Sequence, residues 1–119
     1  MPIFLMVLAL FFPFNLNNNV YKENPVIRNV HAEGQNGRYL IMGETKAGDY
    51  YYTVEDGHNQ YIPEKQFRNR EQGWSSFNIQ LKLSKTSLPK NGTLILHLYQ
   101  RNQNKTIHNS YPVVLDRFP

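Results

Sequence analysis

Phe77-Asn78-Ile79-Gln80-Leu81-Lys82-Leu83 is the stretch that decides the fold class. Apolar side chains occupy every second position, and Asn78, Gln80 and Lys82 sit between them. A β-strand sends successive side chains to opposite faces, so this segment offers one face to a core and one to water. A helix would scatter the same residues around its circumference. The pattern repeats toward the C-terminus. Leu88-Pro89-Lys90-Asn91-Gly92 punctuates the chain. Thr93 to Tyr99 then sets Leu94, Leu96 and Leu98 on one face and Ile95, His97 and Tyr99 on the other. Ile107, followed by Tyr111, Val113 and Leu115, gives a last strand.

Toward the N-terminus, Val26 to His31 and Arg38 to Met42 read as strands broken by Gly34-Gln35-Asn36-Gly37, and Gly43 to Gly48 holds a bend. Tyr50 to Glu55 is a strand by β-propensity. Its alternation puts Tyr50, Tyr52 and Val54 on the core face and Tyr51 opposite. Asp56-Gly57 signals a hairpin whose two central residues tolerate positive φ. A return strand starts at Gln60-Tyr61-Ile62, and Pro63, which removes a ladder donor, assigns it to a sheet edge. Seven short strands in about a hundred residues describe an antiparallel β-sandwich with minimal helix.

With 119 residues the chain is long enough for one domain, placed at residues 20–119. It lacks cysteine, which excludes a disulfide framework, a thiolate metal site and a cysteine nucleophile. Ahead of the domain, Ile3 to Phe12 is an unbroken apolar run, and the first charge is Lys22. Such a run is short of the roughly 20 residues that span a bilayer. It matches the apolar region of a secretory signal, with Pro13 ending its helix. No basic residue precedes it and no small-residue cleavage pair follows. Residues 1–19 therefore read as a signal peptide or as an uncleaved membrane anchor, with a buried helix as the third option. The first two make the protein extracytoplasmic, secreted or membrane-anchored. The absence of cysteine suits a Gram-positive envelope.

Chemistry is sparse. His31, His58, His97 and His108 show no ligand spacing, so no metal or cofactor is expected. Ser75 and Ser76 lie in no nucleophile elbow, and Glu55-Asp56 does not converge on a substrate, so no catalytic residue is assigned. The candidate partner-binding residues are aromatic and basic: Tyr51, Trp74, Lys65, Arg68 and Arg70. Tyr51 and Trp74 can stack on a sugar ring or a protein partner; the alternative for Trp74 is a plug at the centre or end of the core. Lys65, Arg68 and Arg70, with Lys82, Lys85 and Lys90, account for much of a net charge of +4 and a pI near 9.4. That balance favours anionic neighbours such as a wall polymer or lipid headgroups. Export argues against nucleic acid.

Several features occur in an order that resembles the immunoglobulin-like domain of bacterial spore germination proteins. They are Gly43-Glu44-Thr45, the aromatic strand into Val54-Glu55-Asp56-Gly57, Gly73-Trp74-Ser75-Ser76-Phe77, Thr93 to Tyr99, and Ser110-Tyr111-Pro112-Val113. The resemblance covers Met42 to Leu115. It departs from the family at Asn102-Gln103-Asn104-Lys105, where an Asp-Gly turn is usual. It implies an immunoglobulin-like sandwich of a cell envelope or spore and carries no catalytic residues. The expectation is a non-enzymatic interaction module whose partner is an envelope or spore protein, an anionic wall polymer or a glycan. Two alternatives stand beside it: a carbohydrate-binding module using the surface aromatics, and a small proteinase inhibitor presenting Arg68 to Gly73.

Overall fold

Alternating apolar residues build every element of the computed structural model, which describes residues 23–119; the leader expected at 1–19 lies outside them. In chain order the strands are β1 (Ile27–Gln35), β2 (Arg38–Thr45), β3 (Gly48–Glu55), β4 (Gln60–Asn69), β5 (Ser75–Lys82), β6 (Gly92–Arg101) and β7 (Ile107–Phe118). One 3-10 turn, Lys85–Ser87, interrupts the β5–β6 connection. The strands form two antiparallel sheets, ordered β1-β2-β5 and β4-β3-β6-β7. Both contribute to one core, in which Ile41, Tyr50, Val54, Leu94, Leu96 and Leu98 are fully buried.

Leu94, Leu96 and Leu98 face inward as their alternation requires, and so do Ile79 and Leu81 on β5. Tyr50 is the largest fully buried side chain. Its hydroxyl donates to the Lys46 carbonyl at 2.7 Å, which satisfies the one polar atom that its burial would otherwise strand. The Tyr50 ring stacks on Phe67 of β4, and Phe67 stacks on Phe77 of β5, each at 5.4 Å. This aromatic file ties the two sheets together. Tyr39 adds a polar tie, its hydroxyl donating to Asp116 of β7 at 2.7 Å. Asn69 of β4 makes another, donating its amide to the carbonyl of buried Thr45 at 2.8 Å.

The turns correct three local expectations and add a bulge. The two-residue hairpin is Asn36-Gly37, where Gln35 pairs with Arg38 and both central residues have positive φ (58° and 90°). The loop signalled by Asp56-Gly57 is longer, because Glu55 pairs with Gln60. Asp56 instead accepts the backbone N–H groups of Asn59 and His58 and the Tyr61 hydroxyl, which together draw its carboxyl down to about 2. The bend expected over Gly43 to Gly48 shrinks to Lys46-Ala47, since β2 runs through Thr45. Ile107 does not share the inner face with Tyr111. A bulge at Asn109, φ 55°, shifts the register and turns Ile107 outward, where it is 46% exposed.

Pro63 does lie on an edge strand. The partners Tyr52↔Lys65 and Val54↔Ile62 show one extra residue on β4, a bulge that absorbs the missing donor.

Two substitutions separate backbone strain from crowding. Gly37 and Gly57 share a positive φ, but a Cβ on Gly37 would lie 2.3 Å from the Leu83 carbonyl oxygen while one on Gly57 meets nothing. In urea melts Gly57→Ala should cost about 1–2 kcal/mol for the left-handed conformation, and Gly37→Ala clearly more. In the core, Leu81→Ala should cost about 2–5 kcal/mol and neighbouring Lys82→Ala about 0.5 or less. Equal losses at 81 and 82 would contradict the face assignment.

Candidate functional site

With Tyr50 and Val54 inside, β3 must turn Tyr51, Thr53 and Glu55 outward, and β6 must do the same with His97, Tyr99 and Arg101. Register then places Tyr51 beside Tyr99, and their rings stack at 6.1 Å with a 19° interplanar angle. Tyr99 is only 4% exposed although it points away from the core. Its hydroxyl donates to Glu64 of β4. Arg101 donates to the same carboxylate oxygen at 2.7 Å, and its guanidinium lies 5.6 Å from the Tyr99 ring centre and 6.0 Å from that of Tyr51. A second Arg101 nitrogen donates to the Lys105 carbonyl at 2.6 Å, fixing the side chain over the rings. Beside this cluster the His97 ring shares a short hydrogen bond with Glu55.

Glu64, His97, Tyr99 and Arg101 border a shallow groove of about 660 Å³, lined also by Thr53, Gln60, Ile107 and Ser110, with Tyr51 stacked on Tyr99 beside it. Hydrogen bonds from Arg101 and Tyr99 hold the Glu64 carboxyl below its ordinary range. Burial, then the Glu64 hydrogen bond and charge, push the Tyr99 hydroxyl up to about 12. Glu64 raises Arg101 further. The surface is thus aromatic and polar, with the Arg101 charge already met by Glu64. Glu55 could orient the His97 imidazole, yet among the described residues no serine or threonine hydroxyl bonds that ring. Among those residues, too, no three histidine or carboxylate side chains converge as a metal site.

Trp74 is half-buried and lies outside the core; the large aromatic at the core's centre is Tyr50. The Arg28 guanidinium sits 4.0 Å from the centre of the Trp74 ring and Lys46 Nζ 5.4 Å from it. Arg28 is anchored there by Glu44, at 2.7 Å, and Glu44 also accepts from Asn29. A ring covered by an anchored guanidinium is a poor platform for a sugar. Trp74 instead forms one wall of a polar cavity of about 350 Å³ with Asn24, Ile27, Arg28 and Tyr111.

The basic trio does not act as one patch. Lys65 pairs with inward-facing Tyr52, and Arg68 with outward-facing Asp49, so the two cations leave opposite faces of β4. Arg68 is also neutralised by Asp49. Arg70 is exposed just beyond the strand. Because β4 continues to Asn69, the exposed segment proposed for an inhibitor loses Arg68 and begins at Arg70. Of the expected site residues only Tyr51 joins the groove cluster. Glu64, Tyr99 and Arg101 were not singled out beforehand: their meeting depends on strand order, with Glu64 and Tyr99 lying 35 residues apart in sequence.

No protein-family model matches the chain, and neither a curated protein nor a solved structure does.

The alkaline titration tests this geometry. Tyr99 and Tyr39 are both raised to about 12, so each keeps its proton in the fold after unfolded tyrosines have lost theirs near 10. Between pH 10 and 12 the folded state binds more protons than the unfolded one, and stability falls as pH rises. Tyrosinate absorbance should therefore show a late class of tyrosines. Glu64→Gln should move one member of it back toward 10.

Proposed function

We propose that the chain is a non-enzymatic interaction module of a bacterial cell envelope or spore, exported or tethered through residues 1–19, which docks a protein partner on the outer face of its four-stranded sheet. The observation that carries this reading is the Tyr51–Tyr99–Arg101–Glu64 cluster, an ordered aromatic and guanidinium surface on the side of the sheet away from the core. Tyrosine and arginine dominate the energetics of protein interfaces. Side chains already fixed by stacking and hydrogen bonds lose little freedom on binding. Neutralisation of Arg101 by Glu64 and of Arg68 by Asp49 favours a protein partner over an anionic polymer.

Strand order supports an immunoglobulin-like sandwich. The first, second and fifth strands form one sheet, and the third, sixth and seventh belong to the other, as in that fold class. The fourth strand lies beside the third, where variable-type domains carry an added strand. Tyr50 on the third strand takes the central position that a tryptophan fills in antibody domains.

Retention on isolated envelope and spore fractions tests the proposal. Tyr51→Ala and Arg101→Ala should each weaken retention about tenfold or more, while Tyr51→Ala leaves the melting temperature nearly unchanged. Lys65→Glu with Arg70→Glu should have little effect, and physiological salt should reduce retention only modestly. Steep salt dependence with indifference to Tyr51 would transfer the function to an anionic polymer and overturn the protein-docking reading.

A further inference from the structure

The two sheets have four edge strands, and three of them are blunted against pairing. On β4 the bulge at Pro63 breaks the register. On β1 an extra residue near Asn29, φ 55°, does the same. On β7 the Asn109 bulge and Pro112 interrupt the ladder, and the Asn24 side chain caps the carbonyls of Asn109 and Ser110. These are the usual devices that keep an edge from accepting another strand. The fourth edge, β5, has no bulge, proline or side-chain cap, and Lys82 at its end is its single charge. It pairs with β2 over eight consecutive residues without a register shift, and it contains no proline.

Which backbone groups β5 leaves open follows from its ladder. Leu83 N–H donates to the Gly37 carbonyl, continuing the β2–β5 pairing past Arg38↔Lys82. Backbone groups alternate sides along an antiparallel strand, so Leu83, Leu81, Ile79 and Phe77 turn theirs toward β2. The N–H and C=O groups of Ser76, Asn78, Gln80 and Lys82 point to the open edge. Besides the ladder, no hydrogen bond among the described residues reaches them. A three-stranded sheet also faces a four-stranded one, so among the described residues no strand lies beside β5 opposite β4. Phe77, Leu83 and Phe67 border that place and are only partly buried.

Charge identifies the occupant. From Gln72 to Leu115 the chain has no aspartate or glutamate. Lys82 stands directly opposite Arg38, a like-charge cross-strand pair. Lys65 projects from the face of β4 that carries Phe67, the side facing β5. Among the described residues none of Lys65, Lys82, Lys85 and Arg38 meets a carboxylate.

We infer that the open edge of β5 docks an extended acidic peptide segment, which adds as a fourth strand to the three-stranded sheet. Its backbone pairs with Ser76, Asn78, Gln80 and Lys82. Its inward side chains cover Phe77 and Leu83, and its carboxylates meet Lys82 and Lys65. This is strand addition, in which main-chain bonds supply affinity and flanking side chains select the sequence. The surface is separate from the Tyr51 face, and the inference does not depend on the function proposed for that face.

The probe is an eight-residue peptide of alternating Val and Thr between terminal Glu residues, which sets one Glu on each face of the added strand, titrated into the isotope-labelled full chain. Its controls are a Lys-ended counterpart and a version with Pro at a central position. The Glu-ended peptide should shift and protect the amides of Ser76, Asn78, Gln80 and Lys82, leaving those of Tyr51, Thr53 and His97 unmoved. The Lys-ended peptide should bind about tenfold or more weakly, the gap closing at high salt, and the Pro peptide should not bind. Lys65→Glu with Lys82→Glu, both at exposed positions, should reverse the preference toward the Lys-ended peptide. Gln80→Pro, which removes a donor directed at the edge, should abolish binding with the melting transition retained. Equal binding of all three peptides, shifts confined to the Tyr51 face, or protection of the β5 amides by self-association without peptide would each overturn the inference.

Discussion

Tyr50 sits between the sheets with no exposed surface, and its position sets the parity of everything built on β3. Its ring begins the file that passes through Phe67 to Phe77, and its hydroxyl is spent on the Lys46 carbonyl. A shift of β3 by one residue would put Tyr51 inside and turn Tyr50 to water. Because Tyr50 is held, Tyr51 must lie outside next to Tyr99. Because Phe67 must meet Tyr50, β4 must present Glu64, Gln66 and Arg68 outward. The groove cluster is thus a consequence of core packing on the opposite side of the same sheet.

The outer face of that sheet solves an electrostatic problem. Nearly all of the carboxylates precede Gln72, whereas β6 and the loops around it supply cations and no acids. Pairing β6 against β3, with β4 beyond it, brings Glu55 to His97 and Glu64 to Arg101. These partly exposed pairs add little stability individually. Their effect is to order the side chains around Tyr99 and to cancel charge locally. The excess positive charge is left on the β5 side of the molecule and at the loops that follow.

Alternation alone carried the face assignments of β3, β5 and β6, because a buried face and a wet face write themselves into a strand at a period of two. Register and turn geometry were beyond it. A bulge adds one residue without a compositional mark other than an asparagine, so the run from Ile107 to Leu115 reads as one strand and the change of face at Asn109 is not visible in it. Closeness in sequence misled for Lys65, Arg68 and Arg70, since neighbours on a strand diverge. A single Trp often centres the core of an immunoglobulin-like domain, which made a plug at the centre or end of the core the alternative for Trp74. A junction beside Arg28 and Lys46, however, gives its indole cationic neighbours that a core would exclude. Tyr99 and Glu64 meet only across strand order, which no single segment encodes.

β4 separates the two surfaces. Its outward residue Glu64 completes the Tyr51 cluster, while its inward Phe67 stacks on Phe77 of β5. The bulge at Pro63 keeps β4 from accepting a strand, so among the described residues the edge on this flank with an unbroken register is that of β5. A strand seated there would pack beneath β4 and leave the outer face of the four-stranded sheet uncovered. One partner could then contribute a strand and a folded surface at once, reaching from the β5 edge around β4 to the groove. Two modest contacts joined by a short linker gain an effective concentration that neither has alone. Placing the acid-free stretch at the edge and the neutralised cluster on the face gives the two contacts different chemistry, so one partner segment cannot satisfy both.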